Sequence, residues 1–137
     1  MARAVGSGRW TLARTETWPV EIRLKKDRRS ILVRFDDGVE FDLPAEFLRV
    51  LSPSAEVQGH SPEQRQTVAG KIDVTIAAVD PVGNYAVRLT FSDRHNSGIF
   101  AWPYLRKLGE ERTVLWSGYL HDLESKGLSR AQGARGG

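Results

Sequence analysis

The stretch Arg34–His60 places the tightest limits on the fold, because three local signals follow one another within it. Asp37-Gly38 is typical of a hairpin turn, since such turns need a positive φ that glycine adopts readily. Residues 31–36 before the turn read as a strand, and residues 39–43 after it alternate apolar and acidic side chains. Pro44–Leu51 begins with a proline suited to a first helical turn and carries one apolar face. The stretch therefore predicts a strand, a turn, a strand and a short helix, followed by a polar loop.

The same order of elements recurs in the second half of the chain. Residues 33–37, with the helix over residues 47–51, resemble residues 89–93 with residues 104–108, and the two spacings differ by one residue. Either an internal repeat or convergent patterning would give this similarity. Two such units would form an antiparallel sheet with helices on one side.

Apolar periodicity assigns the remaining elements. Strands are predicted over residues 20–24, 71–79, 85–91 and 98–101, a turn over Asp80–Asn84, and helices over Trp102–Gly109 and Glu110–Ser125. The prediction is an α+β fold with an antiparallel β-sheet built from two strand–turn–strand–helix units, plus a C-terminal helix. The last helix carries one apolar stripe, formed by Trp116, Tyr119, Leu120 and Leu123.

Residues 18–125 are predicted to form a single domain between a flexible basic leader, residues 1–17, and a flexible basic tail, residues 126–137. The formal net charge is +3, and the positive charges of residues 1–14 and 126–137 have no acidic residue beside them in those segments. Residues 15–125 consequently carry a net charge of −3. Nucleic-acid-binding domains concentrate positive charge on a folded face, so no nucleic-acid partner is expected.

Several classes of activity lack their sequence signals. No run approaches the roughly 18 apolar residues of a membrane span, so no membrane partner is expected. The absence of cysteine excludes disulfides and thiolate zinc sites from this sequence and fits a cytoplasmic location. Neither a glycine-rich phosphate loop nor a G-x-S-x-G elbow is present.

Asp36 and Asp37 could act as paired carboxylates, but aspartate beside a turn glycine favours a structural role. We therefore expect no enzymatic activity.

Two predicted loops contain the candidate metal ligands. If these loops met, Glu56, His60, Asp93 and His95 could supply oxygen and nitrogen ligands to a divalent metal, iron or zinc. The alternative is that these side chains are solvated or cap backbone groups. His121 is expected to be an exposed helix residue.

The aromatic residues of the C-terminal half allow two interpretations. Trp102, Tyr104, Trp116 and Tyr119 could line a groove for a peptide or a small ligand. Their spacing favours a shared core beneath the helices. An exposed fraction would still mark an interaction surface.

Three long motifs, FDDGVEFDLPAEFLRVLSPSAEVQGH, VDPVGNYAVRLTF and GIFAWPYL, closely resemble the gamma-butyrobetaine hydroxylase-like N-terminal domain family. The resemblance covers roughly residues 19–123. The family comprises small bacterial proteins of unknown function, and it implies an α+β domain with an antiparallel sheet and short helices. It also occurs as the N-terminal domain of carnitine-pathway 2-oxoglutarate oxygenases and appended to MRP-type P-loop ATPases that carry iron–sulfur clusters.

The family's metal chemistry carries over only in part. In the eukaryotic hydroxylases the domain resembles a zinc module, with three cysteines after the first helix and a histidine in the second hairpin loop. Here the matching segment, Arg49–Val57, contains Ser52 and Ser54 but no cysteine, whereas His95 matches the histidine. The resemblance therefore does not imply a zinc site of that kind. The catalytic iron and 2-oxoglutarate residues of those hydroxylases belong to a separate domain that this sequence does not contain.

These observations predict a non-catalytic accessory domain that binds a protein partner. Its setting, as the resemblance implies, would be an iron–sulfur or 2-oxoglutarate oxygenase system. The alternative function is metal-ion binding by the loop histidines and carboxylates. The family-signature loop is where function is expected, and it comprises Ser52, Ser54, Glu56, Gln58, Gly59 and His60.

Overall fold

A computed structural model describes residues 18–53, 67–93 and 98–131. The elements in chain order are β1 Pro19–Leu24, β2 Ser30–Phe35, β3 Glu40–Pro44, α1 Ala45–Val50, β4 Ile76–Val82, β5 Ala86–Phe91, β6 Gly98–Ala101, α2 Trp102–Glu110 and α3 Arg112–Ser125. The fold is α+β, as predicted. The strands divide between two antiparallel sheets, ordered β1-β2-β3 and β4-β5-β6, and one helix follows each sheet.

The local signals of the first unit form the expected structures. Gly38 adopts a φ of 87°, and its amide donates to the Phe35 carbonyl at 2.9 Å, which closes the predicted hairpin. Pro44 has extended backbone and caps α1, whose six residues are all buried. The helix predicted over Pro44–Leu51 is therefore confirmed to within a residue at each end.

The two sheets repeat one hydrogen-bonding register. β1 pairs with β2 through a bulge directly after Pro19, which lies opposite Phe35. β4 pairs with β5 through a bulge directly after Ile76, which lies opposite Phe91. Bulges are specific features of a strand pair, so a shared position is informative.

The helices join their sheets in the same way in both units. The amide of Ala45 donates to the carbonyl of Arg29 at 2.7 Å, and the amide of Trp102 donates to the carbonyl of Tyr85 at 3.2 Å. Each bond links the first residue of a helix to the residue before the middle strand of its sheet. Together with the shared bulge, this correspondence indicates an internal repeat of one β-β-β-α unit.

The core draws equivalent side chains from both units. Ile31, Val33 and Phe35 of β2 are buried, and so are Val87, Leu89 and Phe91 of β5. Burying such side chains contributes roughly 1.5–3 kcal/mol each, before the entropy cost of ordering the chain. A smaller cluster under α3 contains Val50, Tyr119 and Leu123.

The fourth strand differs from its prediction. The sequence predicted a strand over residues 71–79 and a turn over Asp80–Asn84, whereas β4 spans Ile76–Val82 and passes through Pro81. Proline has no N–H to donate, which excludes it from central strands but not from an edge. β4 is one of the two edge strands of its sheet, so Pro81 is tolerated there.

The boundary between the last two helices also differs. Gly109 was predicted to end the second helix, but α2 continues to Glu110, and α3 begins at Arg112 rather than at Glu110. Glycine is required at position 109 because the helix packs closely against Phe41 there. A Cβ atom at this position would lie 2.5 Å from the ring of Phe41.

The segment after α3 contacts the rest of the domain. Gly127 ends the helix with a φ of 67°, as its sequence position suggested. Beyond it, the amides of Gly70 and Ile72 donate to the carbonyls of Ser129 and Arg130 at 2.9 and 3.0 Å. Ser129 and Arg130, in the first part of the predicted tail, are thus hydrogen-bonded to residues 70–72. No helix in the described part of the chain is long and apolar enough to cross a bilayer.

Candidate functional site

Asp93 is the one proposed metal ligand within the described ranges, and it already has two cationic partners. Its Oδ2 accepts from Arg49 Nε at 2.8 Å and from Lys71 Nζ at 2.6 Å. The Arg49 side chain is 3% exposed and that of Asp93 is 23% exposed, so the guanidinium is the more deeply buried partner. Two cations therefore already share this carboxylate, and their positive charge opposes the approach of a metal ion. Glu56, His60 and His95 lie outside the described residues.

The ends of the two loops that carry the candidate ligands lie against each other. Ser52 is fully buried, and a Cβ atom added to Gly98 would lie 2.9 Å from its Oγ. Ser52 precedes one loop and Gly98 follows the other, so the residue before the first loop lies close to the residue after the second. The other signature residues, Ser54, Gln58 and Gly59, lie outside the described residues. Residues 18–53, 67–93 and 98–131 contain no group of three His, Cys, Asp or Glu side chains suited to a metal.

Asp37 has a structural partner, which agrees with its predicted role in the turn. Its two carboxylate oxygens accept from Arg106 Nη1 and Nη2 at 3.1 and 2.9 Å. The hydrogen bond from Arg106 lowers the pKa of Asp37 below its ordinary value. The carboxylate is therefore held ionised in the turn and is poorly suited to act as an acid or a base. The neighbouring Asp36 accepts from the amide of Trp18 at 3.4 Å.

The aromatic residues of the C-terminal half pack mainly as core and do not form one groove. Trp102 and Tyr104 are partly buried against the main core, and Trp116 contacts both core clusters. The Tyr119 hydroxyl donates to the Val68 carbonyl at 2.6 Å. Burial, followed by the charge of Glu46, raises the pKa of Tyr119 to about 12. Tyr119 is thus a structural hydrogen-bond donor.

The outward face of α3 is the surface that sequence reasoning missed. The nine residues from Thr113 to His121 include no Asp, Glu, Lys or Arg. Within this run Val114 is 72% exposed, and Leu120, predicted above to belong to the apolar stripe, is 39% exposed. A Cβ atom added to Gly118 would meet nothing within 4 Å. We call Val114, Gly118 and His121, which follow one another at helical spacing, the outer α3 face. The missed signal was the absence of charge on the helix side opposite the core.

The fold and these contacts define a small α+β domain made of two β-β-β-α units and a final helix. The family model described as gamma-butyrobetaine hydroxylase-like, N-terminal, matches residues 22–106. The chain belongs to this family, which confirms the resemblance found in its motifs.

Solved structures of similar proteins share the fold. A protein of unknown function of the DUF971 family from Acidithiobacillus ferrooxidans, known from a crystal structure, is 45% identical, with 66% of this chain and 91% of that chain covered and a TM-score of 0.56. An NMR solution structure is 44% identical over 84% of this chain and 90% of the other, with a TM-score of 0.72. Another NMR structure is 39% identical over 91% and 92%, with a TM-score of 0.74. No curated protein matches the sequence.

Proposed function

We propose that this chain is a non-catalytic protein-interaction domain that binds its partner through the outer α3 face. One observation carries the proposal, namely that the exposed residues of α3 between Thr113 and His121 include no formally charged side chain. Surface helices of globular domains usually place charged and polar residues opposite their buried stripe. An uncharged outer face is better suited to contact with another protein than to water.

Gly118 supports the same conclusion. Glycine inside a helix costs roughly 0.5–1 kcal/mol relative to alanine because the unfolded chain loses more freedom. Space does not require glycine here, since a Cβ atom would be unobstructed within the domain. Glycine at this position would allow the backbone of a partner to approach the helix closely, which would explain why a side chain is absent.

The partner surface that fits is an amphipathic helix with an apolar stripe. Exposed Val114 offers apolar contact one turn away from Gly118, where a second helix could approach closely. Helix packing depends on such alternation of ridges and grooves. As the family resemblance implies, a partner in an iron–sulfur or 2-oxoglutarate oxygenase system is the first to test.

Site-specific crosslinking with a matched control tests this proposal. A photoreactive residue at position 114 should crosslink one defined polypeptide in the native host at endogenous expression, whereas the same residue at Val20, which is 59% exposed on β1, should not. The polypeptide is then purified and its affinity measured for the wild type, V114E and V20E. We expect V114E to weaken binding at least tenfold and V20E to leave it unchanged. Equal crosslinking at both positions, or equal affinities, would contradict the proposal.

The second candidate function is binding of a divalent metal, iron or zinc, by Glu56, His60, Asp93 and His95. It is favoured by the contact between Ser52 and Gly98, because Ser52 precedes one of the two loops that carry these residues and Gly98 follows the other. Elemental analysis of untagged protein from its native host tests it, with H95A as the comparison. A stoichiometric metal in the wild type that H95A loses is the expected result. Wild-type protein without stoichiometric iron or zinc would end this candidate.

A further inference from the structure

A cavity of about 570 Å³ lies between the start of α1, the start of α3 and the segment after α3. Its volume is within the roughly 300–1,000 Å³ range of small-ligand sites. It lies apart from the outer α3 face, because Val114, Gly118 and His121 do not line it. The lining residues are Pro44, Glu46, Phe47, Arg112, Thr113, Trp116, Ser117 and Arg130.

One side of this cavity is a closed ion pair. Arg130 donates from Nε and Nη2 to the two carboxylate oxygens of Glu46, both at 2.8 Å. The Arg130 guanidinium also lies 5.2 Å from the centre of the Trp116 ring. Glu46 and Arg130 therefore neutralise each other and fix the position of the indole.

Arg112 supplies a positive charge that no carboxylate of residues 18–53, 67–93 and 98–131 neutralises. Its Nη1 donates to the backbone carbonyl of Asp42 at 2.7 Å, which orients the guanidinium. Within the described part of the chain no carboxylate pairs with it, so its other N–H groups can serve a ligand. Thr113 and Ser117 add hydroxyl groups, and with Trp116 they follow the i, i+3, i+4 spacing of one helix side.

We propose that this cavity binds a small organic anion, with a flat or aliphatic body against Trp116 and Pro44 and a carboxylate or phosphate group on Arg112. The indole of Trp116 and the ring of Pro44 favour an organic body over a bare inorganic ion. Arginine favours a carboxylate or a phosphate because its donors match the geometry of either group. The hydroxyls of Thr113 and Ser117 complete the polar end.

A set of aromatic probes tests this site by heteronuclear NMR on the whole chain. Benzoate and phenyl phosphate carry the anion, benzamide keeps the ring without the charge, and acetate keeps the charge without the ring. We expect benzoate or phenyl phosphate to shift the Trp116 indole signal with saturation, and benzamide and acetate to bind at least tenfold more weakly. The better of the two anions identifies the ligand class.

Variants of Arg112 separate recognition from folding. R112Q should weaken binding of the preferred anion about tenfold, the size expected for loss of a charge-assisted hydrogen bond. R112K should restore part of the affinity, and R88Q, which removes an exposed arginine from β5, should leave it unchanged. The proposal is overturned if no probe binds, if benzoate, phenyl phosphate and benzamide bind equally, or if R112Q and R88Q behave alike.

Discussion

Arg49 and Arg106 occupy equivalent positions in the helices of the two units, and each pairs with the turn of the other unit. Arg49 of the first unit binds Asp93 of the second, and Arg106 of the second binds Asp37 of the first. The two pairs differ in burial, because Arg49 is 3% exposed and Arg106 is 19% exposed. Comparing the two equivalent ion pairs therefore shows how burial affects the contribution of such a pair to stability.

Substitution of the two aspartates should have unequal effects on the free energy of unfolding. D93N leaves the charge of Arg49 buried with a weakened partner, and we expect a loss of about 2–3 kcal/mol. D37N removes an accessible pair and should lose less than about 1 kcal/mol. Urea denaturation of both variants measures the difference. Equal losses would show that burial does not set the strength of these pairs.

The Asp37–Arg106 pair should also affect acid stability. Because Arg106 lowers the pKa of Asp37, the pair's contribution is fully present above the ordinary pKa of 3.8. It is lost as the pH falls through the lowered pKa of the folded state. NMR titration of the Asp37 carboxyl should show a midpoint below 3.8 in the wild type and a higher one in R106Q. An unchanged midpoint in R106Q would exclude Arg106 as the cause.

At the scale of the elements, two helices contain glycine for different reasons. Gly109 in α2 faces the ring of Phe41, whereas Gly118 in α3 faces open space. The repeat extends to this packing. Gly109 and Phe41 correspond to Ser52 and Gly98, and each contact joins the helix end of one unit to the last strand of the other. Glycine stands at the helix end in one contact and in the strand in the other.

Alanine substitutions at the two glycines should change stability in opposite directions. G109A forces a Cβ atom against the Phe41 ring and should destabilise the domain by about 1–3 kcal/mol. G118A reduces the freedom of the unfolded chain without a clash and should stabilise it by about 0.5–1 kcal/mol. Thermal unfolding compares them. A destabilised G118A would mean that this helix has a constraint other than the space around it.

At the scale of the whole molecule, the segment after α3 connects distant parts of the chain. Arg130 pairs with Glu46 of α1 and lies over Trp116 of α3, while its carbonyl accepts from Ile72. Glu46 is 7% exposed, so the pair compensates a carboxylate that is otherwise removed from water. The C-terminal segment thus completes the packing around α1.

Removal of the Arg130 side chain should therefore affect stability and hydrogen exchange at residues far from position 130 in the sequence. R130A leaves Glu46 without its charged partner and should cost about 1.5–3 kcal/mol, the range of hydrogen bonds to charged groups. Hydrogen exchange at the amides of Gly70 and Ile72 should quicken, since both are bonded to this segment. R88A is the matched control and should leave these amides unchanged. Slow exchange in R130A would show that the backbone contacts hold the segment alone.

Local sequence signals accounted for much of the fold. The Asp37-Gly38 turn and the proline at the start of α1 act through the backbone of a few neighbouring residues, so they can be read directly from the chain. β4 was misplaced because whether Pro81 is tolerated depends on which strand lies at the sheet edge. Gly109 was misread as a helix end because its contact with Phe41 joins residues far apart in the sequence.

The sequence by itself determined the order of the elements, the family and the absence of cysteine chemistry, since these depend on composition, periodicity and long motifs. Only the tertiary structure decided how the units interlock through Arg49 and Arg106, and that α3 presents an uncharged outer face. It also decided that Arg112, Trp116 and Arg130 meet at one cavity. These features depend on distances between residues from different elements, which packing sets and local periodicity does not encode.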